Sequence, residues 1–142
     1  MAEYFRDMVS GVLPSPDPYH RAPGRLNIND ALFSATRNFK LTLQADGNLV
    51  LYVIDDATLP VDITQGQYSH AVWSSGTEGL GAVRCVMDPD GDLILYKADN
   101  HAVWHTATYY HPGALLRCQD DGNLVILATN GSIIAASNVY SS

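Results

Sequence analysis

The amino-acid sequence predicts an all-β protein made of three copies of one small antiparallel sheet. Three observations carry this: a hairpin motif recurs about every 30 residues, its apolar residues alternate with period two, and every copy bends at Asp-Gly. Helical periodicity is absent from the repeats.

The repeats align without forcing. LTLQADGNLVLY (Leu41 to Tyr52), CVMDPDGDLILY (Cys85 to Tyr96) and LRCQDDGNLVIL (Leu116 to Leu127) each hold Asp-Gly between alternating apolar runs. A second signature follows each: HAVWSSGT (His70 to Thr77), HAVWHTAT (His101 to Thr108) and a weaker GSIIAASN (Gly131 to Asn138), in which Ile134 is read in the tryptophan's place. Gln44 to Trp73 spans 29 residues against 16 from Asp88 to Trp104, so repeat one carries an insertion within Asp55 to Ser69. Pro60, Gly66 and its polar residues predict an exposed loop. Residues 1–25, with Pro14, Pro16, Pro18 and Pro23, are expected to form an irregular N-terminal extension, leaving 26–142 as one domain of three repeats. Asn130-Gly131-Ser132 is a glycosylation sequon and also the pair favoured in tight hairpins; the turn is the expected role.

The hairpin fixes which side chains share a face. If Ala45-Asp46-Gly47 is a three-residue loop with Gly47 in the left-handed region, Gln44 pairs with Asn48, Thr42 with Val50 and Lys40 with Tyr52, all on one side. The other side receives Leu43 with Leu49, Leu41 with Leu51 and Phe39 with Val53, which is apolar throughout and must face the core. A two-residue loop would mix polar and apolar residues on both faces. Repeat three places Gln119, Asn123, Arg117 and Val125 outward and Cys118, Leu124, Leu116 and Ile126 inward. Repeat two places Met87, Leu93, Cys85 and Leu95 inward, so both cysteines are expected to be buried as small hydrophobes. Three sheets with one apolar face each can bury them around a pseudo-threefold axis, with Trp73, Trp104 and Ile134 as candidates for the shared centre.

Composition excludes several classes of function. The chain has 142 residues, a net charge of −7 and a pI near 4.9, so its long-range field repels nucleic acid and anionic lipid. No run approaches the ~18 apolar residues of a membrane span, so no membrane insertion is expected. Glu3 and Asp7 stand where a signal peptide needs a basic start; a cytoplasmic chain is expected, with release by a non-signal route left open. No cofactor or metal motif is present: HExxH, CxxC, phosphate loop and Gly-x-Ser-x-Gly are all missing. His101 and His105 lie on a strand, where a four-residue spacing does not build a helical metal pair, and are expected as surface residues. The run Asp88-Pro-Asp90-Gly-Asp92 departs from a calcium loop, with Leu93 at the sixth position and Asp99 at the twelfth. Carboxylate pairs lie on hairpin loops with no sign of a cleft, so an enzyme is not expected.

The outward row Gln44-x-Asp46-x-Asn48-x-Val50-x-Tyr52 resembles the Gln-x-Asp-x-Asn-x-Val-x-Tyr motif of the bulb-type mannose-binding lectins at every specified position. The resemblance covers residues 26 to 140. It implies a β-prism II of three four-stranded antiparallel sheets, a mannose site on each, no cofactor, and homodimers often formed by exchange of C-terminal strands. Carried over, Asp46 and Asn48 bind the axial hydroxyl that marks mannose, and Gln44 and Tyr52 bind its neighbours. The residue types suit that use: a sugar hydroxyl both donates and accepts, Asp46 accepts, the amides do both, and Val50 offers apolar surface to ring carbons. In repeat three Gln119, Asp121, Asn123 and Val125 match, but Leu127 replaces the tyrosine and removes a partner worth about 1 kcal/mol. Repeat two has Asp88, Asp90, Asp92, Ile94 and Tyr96, where clustered carboxylates repel and the amide donors are lost. A protein-interaction module that has kept the prism without sugar binding, using the 55–69 insertion as its contact surface, is the alternative.

Overall fold

The computed structural model describes residues 7–8, 12–13, 24–54 and 69–137, and every regular element among them is a strand. The hairpins explain the order. Phe39–Leu43 (β5) turns back as Leu49–Ile54 (β6), Ala82–Met87 (β8) as Leu93–Lys97 (β9), and Leu115–Cys118 (β11) as Leu124–Leu127 (β12). Each hairpin is flanked by a third strand: Ser69–Ser74 (β7), Ala102–His105 (β10) and Ile133–Ala136 (β13).

The register is the one the alternation demands. Phe39 pairs with Val53, Lys40 with Tyr52, Leu41 with Leu51, Thr42 with Val50 and Leu43 with Leu49. Repeat three pairs Leu116 with Ile126, Arg117 with Val125 and Cys118 with Leu124. The four inward positions nearest each turn, from Leu41, Leu43, Leu49 and Leu51 round to Leu116, Cys118, Leu124 and Ile126, are buried in a single cluster, which Phe39 joins and against which the half-buried Val53 packs. Each such side chain contributes about 1.5–3 kcal/mol by leaving water. Burial pushes the free thiols of Cys85 and Cys118 up to about 12, so both remain neutral core atoms.

Remaining strands close the sheets, and here the sequence reading needs correction. Arg25–Asn27 (β3) pairs with β8, and Ala31–Phe33 (β4) with β5. The stretch expected to be irregular supplies two more strands: Asp7–Met8 (β1) runs parallel to β4, and Val12–Leu13 (β2) pairs antiparallel with β11. The sheets therefore hold five, four and four strands, in the orders β1-β4-β5-β6-β7, β10-β9-β8-β3 and β13-β12-β11-β2. Two-residue strands carry too little alternation to show in sequence, and the prolines around them speak for loop. The 55–69 insertion, Ser69 apart, lies outside the described residues.

The third flanking strand also corrects the repeat alignment. Leu51 faces Trp73 and Leu95 faces Trp104, but the matching Ile126 faces Ala135. A one-residue bulge precedes each of these positions and takes up Val72, Val103 and Ile134. Ala135, not Ile134, stands in the tryptophan's place. Ile134 still packs against the core, as do both tryptophans, whose rings meet edge to face at 6.1 Å.

Gly47, Gly91, Gly122 and Gly131 each have φ between +87° and +95°, the left-handed position of a three-residue loop. Their surroundings differ. A Cβ on Gly131 would meet open space, whereas one on Gly91 would overlap the His111 carbonyl. Gly131→Ala is therefore expected to cost about 1–2 kcal/mol of unfolding free energy from backbone strain alone, and Gly91→Ala clearly more, measured by urea denaturation. Equal losses would contradict the packing of residue 111 on that turn.

Candidate functional site

Every outward row begins at a turn of one design. In the first hairpin the Gly47 N–H donates to the Gln44 carbonyl at 2.9 Å and the Gln44 N–H to the Asn48 carbonyl at 2.9 Å. The Asp46 carboxylate spans the bend, with Oδ1 accepting from the Asn48 N–H at 2.9 Å. Asp90 accepts from the Asp92 N–H at 3.0 Å and Asp121 from the Asn123 N–H at 2.9 Å. An Asp whose side chain bonds the backbone two residues on stabilises such a loop locally. Asn130 does the same for the Ser132 N–H at 3.0 Å, so the sequon sits in the expected turn.

In repeat one the side chains form a directed chain. Tyr52 donates its hydroxyl to Gln44 Oε1, and Gln44 Nε2 donates to the Asp46 oxygens at 3.2 and 3.3 Å. Only this amide orientation serves both neighbours, since a carboxylate must receive N–H. Burial, then the charge of Asp46, raises the Tyr52 pKa and keeps the phenol protonated. Asn48 is held from behind, its Oδ1 accepting from Ser75 Oγ and from the Thr77 N–H, both at 3.1 Å. The Thr77 hydroxyl donates to the Gly47 carbonyl at 2.7 Å, which ties this support to the turn. What remains for a ligand alternates: Asn48 Nδ2 donates, Asp46 accepts, the second Gln44 hydrogen donates and the Tyr52 oxygen accepts. Two neighbouring hydroxyls, each giving one proton and receiving one, match that order.

Exposure along the row is uneven. Gln44, Asp46 and Tyr52 reach water, while Asn48, Thr42 and Lys40 are buried. Val50 and its counterpart Val125 are only 3% and 2% exposed, so each offers less open apolar surface than the outward row implied, because neighbouring side chains cover them. The Lys40 ammonium lies 5.8 Å from the Tyr52 ring centre, and burial lowers its pKa to about 8.

Repeat two keeps the geometry and loses the pattern of donors. Tyr96 donates to Asp88 Oδ2 at 2.7 Å, but Asp88 has no hydrogen to pass to Asp90. Asp92 takes the place of Asn48: its Oδ1 accepts from Thr106 Oγ1 at 3.1 Å and the Thr108 N–H at 3.2 Å. Where the asparagine would offer Nδ2, Asp92 Oδ2 faces His105 Nδ1 at 2.8 Å. Burial raises the Asp88 pKa, and Asp90 and Asp92 add to the rise against the lowering bond from Tyr96. In repeat three Leu127 is buried in the tyrosine's place, and Gln119 and Asp121 line a shallow cavity of about 460 Å³ with Arg117 and Asp120. Asp120 crosses to the first sheet, accepting from the Thr36 N–H at 2.9 Å and its hydroxyl at 2.7 Å. Those two bonds hold its carboxyl below the usual range.

The supporting residues Ser75, Thr77, Thr106 and Thr108 were missed as site residues, although the signatures SSGT and HTAT repeat beside each tryptophan. The Asp92 partner of His105 was missed as well, because sequence spacing does not show which strands lie side by side.

Fold and motif together resemble those of the bulb-type, β-prism lectins. Solved structures similar to it include the Marasmius oreades lectin, with 26% identity, a TM-score of 0.73 and coverage of 95% of this chain and 96% of that one. The monomeric mannose-binding lectins of Gastrodia elata align at 26% identity and a TM-score of 0.69, over 93% of this chain and 100% of theirs. By sequence, the B-type lectin plumieribetin of Scorpaena plumieri is 31% identical over 83 residues, which is 58% of this chain and 60% of the fish protein. No family model matches the chain. The similar proteins named here are lectins.

Because the raised Asp88 pKa means the folded state holds more protons than the unfolded one above the ordinary carboxylate value of 3.8, its contribution to stability falls as pH rises from there and stays unfavourable once both states are ionised. Asp88→Asn keeps an acceptor for Tyr96 and removes the charge. It is expected to raise Tm at pH 7, with the gain shrinking towards pH 3, as read by calorimetry at the two pH values.

Proposed function

We propose that this chain is a carbohydrate-binding protein that recognises mannose or mannose-containing glycans through Gln44, Asp46, Asn48 and Tyr52, with Val50 in the same row. The carrying observation is the chain from Tyr52 through Gln44 to Asp46, which leaves donors and acceptors alternating along one rigid face. One hydroxyl would sit between Asp46 and Asn48, and its neighbour between Gln44 and Tyr52. Because the groups are already held in place, little ordering is needed on binding, although an open site remains weak. The mannose-binding Gastrodia lectins, similar in fold, support the choice of sugar. Gln119, Asp121, Asn123 and Val125 form a second, weaker site, and repeat two contributes none.

Asp46 also holds the turn, so Asp46→Ala would weaken the loop and the site together. Asp46→Asn separates them: its amide oxygen can still accept from Asn48, but the carboxylate charge is gone. In an NMR titration with methyl α-mannoside, Asp46→Asn is expected to abolish the response at Gln44, Asn48 and Tyr52, and Tyr52→Phe to weaken it about fivefold to tenfold. Unchanged affinity in Asp46→Asn would count against the reading.

A further inference from the structure

The prism is threefold in backbone but not in its centre. Trp73 and Trp104 occupy matching places in the first two sheets, and the third sheet offers Ala135 there. The missing indole leaves space. A cavity of about 310 Å³ opens beside Ala135, bounded by Trp73, Trp104, Leu116, Leu124 and Ile126.

We propose that this cavity is a binding site for a flat aromatic molecule of about the size of indole. It is open to solvent on one side, and its volume exceeds that of the ~150 Å³ engineered apolar cavity that binds benzene. The leucine and isoleucine lining gives water no hydrogen-bond partner, so filling the space with an apolar ring gains contacts without breaking hydration. The two tryptophans, edge to face at 6.1 Å and 66°, offer a third ring the same kind of packing. The polar side chains of the lining are His105, Thr106 and Ser137, and the His105 ring is already engaged through Nδ1 with Asp92. The hydroxyl oxygens of Thr106 and Ser137 can accept from a single N–H or O–H, as an indole or a phenol carries. Charged or heavily hydroxylated molecules would lose more hydration than His105 and two hydroxyls restore. A sugar is therefore the wrong ligand here. The cavity also lies behind the sheet that carries Gln44 and Tyr52, so this inference stands apart from the glycan reading.

Indole added to the ¹⁵N-labelled protein is expected to shift the Trp73 and Trp104 side-chain N–H signals saturably and to raise Tm with concentration. Ala135→Trp fills the space from within. It is expected to weaken the indole response at least about tenfold and to raise Tm without ligand; Ala135→Phe, a smaller filler, gives the same direction if the tryptophan variant does not fold. Asp46→Asn leaves the indole response intact. Absence of a saturable shift, a response undiminished from that of the unsubstituted protein in both Ala135 variants, or shifts confined to the exposed pair Tyr109 and Tyr110 would overturn the proposal. So would a dimer of the unliganded protein that Ala135→Trp disperses, since a second copy would then be the occupant.

Discussion

A carboxylate that reaches back over its own bend sets the geometry of this protein. Asp46, Asp90 and Asp121 each accept the backbone N–H two residues on, at 2.9, 3.0 and 2.9 Å, with glycine following in the left-handed region. That bond and that glycine fix an odd-numbered loop, and an odd loop decides which side of the ribbon every later residue faces. Slipping β6 by one residue against β5 would turn Leu49 and Leu51 out of the core and set Asn48, Val50 and Tyr52 beside Leu41 and Leu43. The loss of two fully buried leucines from the core, and of the Ser75 and Thr77 bonds to Asn48, is what makes the register unique.

From this one constraint the site follows with few additions. The loop aspartate already points towards the outward row, so a structural acceptor serves as a functional one. Residues just past β7 then support the row from behind: Ser75 and Thr77 consume the Asn48 oxygen and leave its amide hydrogens free to face outward. Repeat two shows how separable frame and chemistry are. Thr106 and Thr108 make the same bonds to Asp92, the tyrosine makes the same bond to residue 88, and yet three carboxylates replace two amides and one acid. The frame is unchanged where the donors are lost.

Sequence made the hairpins legible because their pattern is long and redundant: five paired positions, a glycine and an aspartate all vote for one register. The inward set was readable for the same reason. Short or non-local features were not. β1 and β2 have two residues each, too few to alternate, and pair only because β4 and β11 would otherwise present bare edges. Ile134 was matched to the tryptophans because it is bulky, but the bulge ahead of it shifts the pairing by one and gives the place to Ala135. The link between His105 and Asp92 depends on neighbouring strands 13 residues apart in sequence, which no local pattern encodes. Of the site, the row itself was visible in the residues and the scaffold behind Asn48 was not.

Register in solution is the most direct test of the constraint on which all of this rests. Nuclear Overhauser effects between α-protons across β5 and β6 should join Leu41 to Leu51 and Leu43 to Leu49, the pairs expected when the loop holds three residues. Contacts from Leu41 to Val50 or to Tyr52 in their place would mean a slipped ribbon, with Gln44 and Tyr52 no longer on a common face.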